Sequence, residues 1–289
     1  MLGSISTSRL WRLVRYVDEM NRIAVVTGAS SGIGASTARV LAARGWQCVL
    51  VARRENRLRA LTEEIGGEFE ACDIGDRSAV EALAARVLER HPTVHLLVNN
   101  AGIPARRALP DVDLELVEDV ARVNYLGGVW MTRSLLPGLQ SAARTGRGHI
   151  VNVVSIAGAV AFAPSGAYTA SKHAQLAFSR SLQASLRGSG IDVLTILPGY
   201  VQTEGFPQAS LLEHRLLRHI VVQPEKVAES IARGVERGSR EVVVPWFPYR
   251  PASLLYGVAP ALVSRLGSRV VERSRAFRAK SSEPSRGSA

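Results

Sequence analysis

Two side chains whose types and spacing suit proton transfer are Tyr168 and Lys172, four residues apart in a stretch of helical periodicity at 167–187. Four residues make about one helical turn, so both side chains lie on one face. A free tyrosine has a pKa of about 10, and lowering it to neutrality requires roughly 4 kcal/mol. One cation ~4 Å away supplies up to about 4 kcal/mol at an effective dielectric constant near 20. The pair therefore predicts a phenol that exchanges protons near neutral pH, although the spacing alone also fits a surface tyrosine and lysine.

A glycine-rich turn, TGASSGIG at residues 27–34, lies between a β-branched run and the first helical stretch. Glycine allows a tight turn and a close approach to a ligand, and the following helix N-terminus offers free N–H groups to a pyrophosphate. In this strand–turn–helix context the motif predicts a dinucleotide site, although its spacing, G-x-x-x-G-x-G, differs from the standard G-x-G-x-x-G. The candidate phosphate contacts are Gly28, Ser30, Ser31, Gly32, Ile33 and Gly34.

Two further positions combine a polar side chain with an unusual local context. Ser155 ends the strand-like run at 149–155, which places it at the carboxyl edge of a parallel sheet, where ligands bind in such folds. No G-x-S-x-G elbow surrounds it, so a serine hydrolase is a poor alternative. Asn124 lies in RVNYLGG (122–128), where an asparagine and two glycines disfavour a helix, each glycine by up to about 1 kcal/mol. This local conflict indicates a functional constraint, with a polar packing defect as the alternative.

The elements that must position these side chains alternate along the chain. Strand-like runs lie at 22–27, 47–52, 68–74, 95–99, 149–155, 191–197 and 240–245. Stretches of helical periodicity lie at 33–43, 56–65, 77–90, 114–136, 167–187 and 225–236. This alternation predicts parallel strands joined by crossover helices. We expect an α/β fold with a Rossmann-like doubly wound parallel sheet of about seven strands, in a single domain.

The segment TGASSGIG resembles the cofactor motif of the short-chain dehydrogenase/reductase family, and further matches follow in the family's order. They are Cys72-Asp73-Ile74, Asn99-Asn100-Ala101-Gly102, Asn124, Ser155, Tyr168 with Lys172, Pro198-Gly199, and Thr203. The resemblance covers about residues 22–245. It implies a nicotinamide-dependent oxidoreductase that reversibly reduces a carbonyl to a secondary alcohol, joined into a homodimer or homotetramer through its two long helices.

The resemblance also implies roles for these residues. Tyr168 would be the general acid/base and Ser155 would hydrogen-bond the reacting oxygen. Lys172 would lower the pKa of the tyrosine and hold the nicotinamide ribose, and Asn124 would hold a proton-relaying water. The remaining cofactor contacts implied are Asp73 at the adenine, Asn99 and Gly102 at the adenosine side, Asn100, Pro198, and Thr203 at the nicotinamide amide.

The choice between the two nicotinamide cofactors depends on the end of the second strand. An acid there would hydrogen-bond a ribose 2′-hydroxyl and repel a 2′-phosphate. This chain has Ala52 at that position and Arg53 next, which can pair with a phosphate through charge-assisted bonds. We therefore expect NADP(H) to be preferred over NAD(H). The alternative is that Arg53 and Arg54 are surface charges on a loop.

The substrate is less well defined by the sequence. The segments at 156–164 and 200–222 are mostly apolar, and the second corresponds to the variable substrate lid of the family that the chain resembles. An apolar lid suggests a small lipid-, steroid- or acyl-like carbonyl or alcohol substrate, unless its leucines only pack among themselves. A 3-oxoacyl-thioester reductase is a second hypothesis. A non-catalytic NADP-binding scaffold or sensor is a third, of another class.

The composition limits what else the chain can be. It has 289 residues, 46% apolar and 21% charged, as is ordinary for a globular protein. No stretch approaches the ~20 apolar residues of a membrane-spanning helix, and no secretory leader stands at the start, so we expect a cytoplasmic protein. Cys48 and Cys72 lie in apolar runs and are expected to be buried hydrophobes. No clustered ligand set predicts a metal.

The positive charge is concentrated near the C-terminus. The net charge is +11, and residues 250–289 contain eight basic and two acidic side chains. We expect the catalytic, dinucleotide-binding domain at 21–246, an N-terminal extension at 1–20, and a basic C-terminal extension at 247–289, partly apolar and then disordered. This extension fits a solvated tail, an anionic membrane or an acidic partner, or a cap on an active site. No nucleic-acid motif is present, so no nucleic-acid partner is expected.

Overall fold

The computed structural model describes residues 22–105, 107, 109–161, 165–206 and 220–262. Its strands are β1 (Ile23–Thr27), β2 (Gln47–Ala52), β3 (Glu68–Ala71), β4 (Leu96–Asn99), β5 (Gly148–Val153), β6 (Ile191–Pro198), β7 (Tyr200–Val201), β8 (Val221–Val222) and β9 (Glu241–Val244). Seven of them form one parallel sheet in the order β3-β2-β1-β4-β5-β6-β9, and β7 pairs with β8 separately. The expected Rossmann-like doubly wound sheet of seven strands is confirmed.

Helices cover both faces of this sheet. They are α1 (Gly32–Ala42), α2 (Glu55–Ile65), α3 (Arg77–Arg90), α4 (Leu114–Ala121), α5 (Gly127–Thr145), α6 (Gly166–Ser185), α7 (Pro224–Glu236) and α8 (Tyr249–Val258). One core contains Leu41, Leu58 and Ile231 from α1, α2 and α7. The other contains Leu83 and Leu139 from α3 and α5. Because both faces of the sheet are covered, the central strands β1 and β4 are buried along their whole length and are mostly apolar.

The strand order places a crevice above β1. From β1 the chain builds outward through β2 to β3, then crosses back to pair β4 on the other side of β1. The loops after β1 and β4 therefore leave in opposite directions at the carboxyl edge. Such a switch point is where open α/β sheets bind their ligands.

The single helix expected at 114–136 is wrong. Helix α4 stops at Ala121, a π-helical turn occupies Arg122–Leu126, and α5 continues to Thr145. A Cβ atom at Gly127 would lie 2.6 Å from the carbonyl oxygen of Ile74, so the chain passes very close to the loop after β3 there. The residues that disfavour a regular helix therefore mark a real break, which shifts the register of everything that follows.

Two strand ends also differ from the expectation. Strand β3 ends at Ala71 rather than at residue 74, because Cys72, Asp73 and Ile74 already turn toward the cleft side of the sheet. Strand β5 ends at Val153, two residues before Ser155. Ser155 instead caps the 3-10 turn Ile156–Gly158. Both cysteines are buried, as expected.

The start of the C-terminal extension packs onto the sheet domain. Tyr249, the first residue of α8, is 6% exposed, and its ring lies against Gly199, where an added Cβ would be 2.0 Å from the ring. Residues 1–20 and those after 262 lie outside the described residues, so the domain division stays a prediction. Among the residues that the structure describes, no helix is long and apolar enough to cross a membrane.

Candidate active site

A cleft of about 690 Å³ opens at the carboxyl edge of the sheet, above the switch point at β1. It brings together most of the side chains singled out from the sequence. Those that line it are Gly28, Ser30, Ser31, Gly32, Ile33, Arg53, Asp73, Asn100, Ser155, Tyr168, Lys172, Pro198 and Thr203. Two others, Gly34 and Asn124, lie behind its wall. Residues far apart in the chain thus meet in one crevice.

The glycine turn has the backbone shape that its sequence predicts. Gly28 has a φ of +67°, and a Cβ there would lie 2.7 Å from the Cα of Ala101. A side chain at Gly34 would come within 2.3 Å of the Gly28 carbonyl oxygen. The Asn100 amide donates to the Thr27 carbonyl oxygen at 2.9 Å and so braces the turn. This cradle, open toward the start of α1, fits a pyrophosphate.

The expectation that Asn99 lines the adenosine side is wrong. Asn99 is 2% exposed, and its amide nitrogen donates to Thr132 Oγ1 and Asn152 Oδ1, each at 3.0 Å. Successive strand residues point to opposite faces, so Asn99 points into the sheet–helix interface while Asn100 reaches the cleft. The neighbouring Gly102 lines the cleft, and its place at the adenosine side stays a prediction.

Tyr168 and Lys172 lie on the same wall of the cleft, on α6. The Lys172 Nζ is 5.9 Å from the centroid of the Tyr168 ring. The lysine side chain is almost completely buried, and this burial lowers its pKa to about 7. The ammonium group donates to the Val153 carbonyl oxygen at 3.2 Å and to the Gln175 Oε1 at 2.8 Å.

Gln175 is a site residue that the sequence reasoning missed. It is 3% exposed and lies three residues after Lys172, on the same helix face. Its carbonyl oxygen accepts a hydrogen bond from the ammonium group, which favours the charged lysine and opposes the effect of burial. The available signal was the K-x-x-Q spacing, but only the packed structure excludes water from that pair.

Ser155 is held at the mouth of the same wall. Its Oγ accepts a hydrogen bond from the Ala157 N–H at 3.1 Å and donates to the Pro198 carbonyl oxygen at 3.5 Å. These two bonds fix the hydroxyl between the end of β5 and the end of β6. It lines the cleft together with Tyr168.

Asn124 lies below the cleft floor, 1% exposed, in the π-helical turn. Its Oδ1 accepts from the Ile103 N–H at 2.8 Å, and its Nδ2 donates to the Ile103 carbonyl oxygen and to Ser171 Oγ, each at 3.1 Å. The side-chain amide is thus fully used in joining the loop after β4 to α6. Asn124 therefore positions that loop relative to the helix. Its expected role in holding a proton-relaying water stays a prediction.

The rim over β2 is strongly basic. Ala52 ends the strand, as read from the sequence, and Arg53 is exposed with its Nη1 3.5 Å from Asp73 Oδ2. Arg54 donates to the hydroxyls of Ser30 at 3.0 Å and Ser31 at 2.8 Å. The sequence reasoning left Arg54 as a possible loop charge and missed its place beside the glycine turn.

The segment expected to form the substrate lid, which we call the lid, is bonded to this rim near its start. Glu204 accepts hydrogen bonds from Arg54, at 3.0 Å, and from Arg57, and the bond from Arg57 lowers the pKa of this exposed carboxyl. The Phe206 ring lies 5.4 Å from the Tyr168 ring, centroid to centroid. The leucines at 211, 212, 216 and 217 that suggested an apolar lid lie outside the described residues.

A single phenol joins the two ends of the lid. The Tyr249 hydroxyl accepts from the Tyr200 N–H at 3.1 Å and donates to the Ile220 carbonyl oxygen at 3.0 Å. The chain leaves toward the lid after β7 and returns at β8, next to these two residues. Helix α8 is thereby connected to both stems of the lid.

Comparison with known proteins identifies the family. The family model "short chain dehydrogenase" matches residues 22–211. The chain belongs to the short-chain dehydrogenase/reductase family. It is 33% identical over 286 residues to dehydrogenase/reductase SDR family member 7B of Rattus norvegicus, with 92% of this chain and 86% of that protein covered. It is 47% identical over 188 residues to an uncharacterised oxidoreductase of Mycobacterium tuberculosis, with 65% and 72% covered.

Solved structures of the family superpose well. A short-chain dehydrogenase/reductase of Burkholderia phymatum in complex with NAD is 26% identical, with a TM-score of 0.74 and coverage of 86% of this chain and 96% of that one. An actinorhodin polyketide ketoreductase variant with NADPH is 32% identical, with a TM-score of 0.70 and coverage of 78% and 95%. The chain is thus an oxidoreductase of a nicotinamide-dependent family that acts on carbonyl and alcohol groups, whose members are typically oligomeric.

Proposed function

We propose that this protein is an NADP(H)-dependent oxidoreductase that interconverts a carbonyl and a secondary alcohol on an apolar substrate. The observation that carries the proposal is the buried lysine ammonium beside a cleft-lining phenol. Lys172 and Tyr168 share one wall with Ser155, and the glycine turn lies across the same crevice. This arrangement combines a proton donor with a dinucleotide cradle.

The chain's own residues handle the proton and the orientation. When bound, NADP(H) supplies or accepts the hydride. In reduction, the Tyr168 hydroxyl donates its proton to the substrate oxygen, and in oxidation the phenolate takes it back. Ser155 Oγ, held between Ala157 N–H and the end of β6, orients that oxygen. Lys172 stabilises the phenolate and reaches the ribose side of the site.

The charge of Lys172 has the right magnitude for this task. At about 6 Å and an effective dielectric constant near 20, one cation stabilises a phenolate by roughly 3 kcal/mol. That corresponds to about two pKa units. Burial acts in the other direction, because it lowers the pKa of the lysine itself to about 7. The acceptors Val153 and Gln175 favour the charged form of the amine and so oppose this effect of burial.

The preference for NADP(H) is supported by the charges at the end of β2. Ala52 offers no carboxylate to a ribose 2′-hydroxyl. Arg54 donates to the hydroxyls of Ser30 and Ser31, and Arg53 lines the same cleft beside Asp73. A 2′-phosphate adds negative charge there, and arginine binds phosphate through charge-assisted, bidentate hydrogen bonds.

An apolar substrate is supported by the described part of the cleft wall. The apolar residues that line the cleft include Ile103, Ala105, Ile156, Ala157 and Phe206. None of these residues carries a charge or a hydrogen-bonding side chain. An apolar carbonyl compound therefore loses little solvation on entering, whereas a sugar would leave its hydroxyls unpaired.

A 3-oxoacyl-thioester reductase is a second candidate, favoured by one observation. The chain superposes with a TM-score of 0.70 on a polyketide ketoreductase variant, over 95% of that chain. The strongly basic sequence also suits an acidic carrier or coenzyme.

We also propose a homo-oligomer, dimer or tetramer. The cytoplasmic location expected from the sequence stays a prediction.

The test is to measure NADPH and NADH consumption with a panel of apolar ketones, aldehydes, steroids and 3-oxoacyl thioesters. We expect turnover with NADPH on apolar ketones and much less with NADH. Turnover confined to 3-oxoacyl thioesters would favour the second candidate. NADPH binding without consumption on any compound would instead identify the chain as a cofactor-binding scaffold or sensor.

A further inference from the structure

An exposed apolar surface follows the sheet domain at its C-terminal side. We call it the α8 face, and it consists of Trp246, Phe247, Leu254, Leu255, Val258 and Leu262. Their exposed fractions range from 44% for Leu255 to 86% for Val258. Among the described residues, only two other large hydrophobic side chains are exposed, Leu114 and Tyr200. Six exposed large apolar side chains within 17 consecutive residues, at 246–262, are a sign of docking.

The three residues of the α8 face that lie within the helix share one direction because of their helical spacing. Leu254 and Val258 are four residues apart, and Leu255 and Val258 are three apart, so they lie on one side of α8. Tyr249, on the other side of that helix, packs against Gly199. Helix α8 is thus amphipathic in place: one side anchors it to the domain and the other carries exposed aliphatic side chains.

The charges around the α8 face are of one sign. No acidic residue occurs between Glu241 and Glu272. Within this span Arg250 pairs with Glu241 at 2.5 Å, which leaves the face itself without a free carboxylate. The sequence after Leu262 contains seven basic and two acidic residues, a net charge of +5. Apolar side chains followed by a cationic segment suit a surface that is apolar within and anionic outside.

We propose that the α8 face docks onto an anionic lipid bilayer. Trp246 and Phe247 would enter the interface, with the aliphatic side of α8 beside them, while the basic segment that follows meets the lipid phosphates. A second copy of this chain on the same face would bring two segments of net charge +5 together, which disfavours it electrostatically. An anionic bilayer can take up the apolar side chains of the α8 face and also attract the basic segment that follows.

Docking on a bilayer would also indicate where the substrate comes from, an inference that rests on the proposed function. Tyr249 begins α8 and hydrogen-bonds both stems of the lid, at Tyr200 and Ile220. A bilayer bound by α8 would therefore be connected, through Tyr249, to Gly199 and Tyr200, which line the cleft. The geometry points to a substrate class dissolved in the membrane rather than in water.

The experiment is sedimentation of the full chain with phosphatidylcholine vesicles, with and without phosphatidylglycerol. We expect binding to the anionic vesicles, weakened about tenfold by high salt because surface charges are screened. Two double variants, Trp246→Ser with Phe247→Ser and Leu254→Ser with Val258→Ser, should each lose about tenfold or more of the binding. Leu114→Ser is the matched control, because Leu114 is 71% exposed on α4, and it should bind like the parent.

Four outcomes would overturn the proposal: no binding to anionic vesicles, equal binding to neutral ones, an equal loss in Leu114→Ser, or a dimer that both double variants dissociate. The last would show that a second copy covers the α8 face. NADPH consumption on a water-soluble ketone is measured in parallel. If the protein consumes NADPH but does not bind vesicles, only the docking proposal is contradicted. If it binds vesicles but consumes no NADPH, only the proposed function is contradicted.

Discussion

Two parts of the cleft differ in their exposure to water: the wall on α6 with Tyr168 and Lys172, which we call the floor, and the basic rim over β2. Lys172 is 3% exposed and bonded to two buried acceptors, whereas Arg54 at the rim has 42% of its side chain exposed and is bonded to serine hydroxyls and Glu204. At the floor, low dielectric makes each charge effective and each hydrogen bond costly to lose. At the rim, water screens the charges, so single ion pairs contribute little and can be exchanged for a ligand. In the proposed function, the floor carries out the proton transfer, and the rim selects the cofactor.

The largest effect should come from the floor. Replacing Tyr168 with Phe removes the hydroxyl but keeps the ring against Phe206. We expect kcat to fall by about 10² to 10⁴, the usual contribution of a general acid–base group. NADPH affinity should change little, since the ring and Lys172 remain. Near-parental turnover in this variant would remove Tyr168 from the chemistry, and steady-state kinetics with fluorescence titration of NADPH measures both quantities.

The sequence predicted the parts of this site that depend on local spacing better than those that depend on packing. Tyr168 with Lys172 and the glycine turn were predictable because a short local spacing fixes their relation. Gln175 was missed because its bond to Lys172 gains importance only when the packed core excludes water from both.

Contacts distant in the chain were the hardest to predict. Asn124 bonds Ile103, 21 residues away, and Tyr249 bonds Tyr200, 49 residues away. No local pattern specifies such pairs. The sequence carried only an indirect sign of the π-helical turn: the apolar periodicity favoured a helix there, whereas glycine and asparagine disfavoured one. Asn99 was misplaced because a family motif gives the residues of a loop but not the direction of each side chain.

The next effect in size is expected at the rim. Arg53→Asp should lower kcat/KM for NADPH relative to NADH by about 10- to 100-fold, because it replaces a charge-assisted phosphate contact by repulsion. Arg59→Asp, on exposed α2 and paired with Glu55, is the matched control and should leave the ratio near its original value. An unchanged ratio in Arg53→Asp would mean that this arginine is only a surface charge.

A smaller change should follow at the floor when Gln175 becomes Leu. Without the acceptor, the neutral amine of Lys172 is favoured, so the phenol of Tyr168 ionises less readily. The pH midpoint of alcohol oxidation should rise by about one to two units, since a hydrogen bond to a charged group contributes roughly 1.5–3 kcal/mol. Gln183→Leu is the control: its amide bonds the Val193 and Arg240 carbonyls, so it should lower stability without moving the midpoint.

The smallest effect belongs to the lid at the rim. Glu204→Gln removes a carboxylate that competes with a 2′-phosphate for Arg54. NADPH should bind about two- to threefold more tightly, in line with the value of an exposed ion pair, and NADH should be unaffected. Glu55→Gln, from the exposed pair with Arg59, is the control, and weaker NADPH binding in Glu204→Gln would contradict the competition.

The most direct test of the buried ammonium is the pH dependence of alcohol oxidation in the parent and in Lys172→Met. In the proposed mechanism, oxidation requires the Tyr168 phenolate, so the rate should rise with pH through the apparent pKa of the coupled pair. Removing the cation should raise that midpoint by about two units, toward the ordinary value near 10. A lower maximal rate with an unchanged midpoint would contradict the account, because Lys172 would then bind cofactor without tuning the phenol.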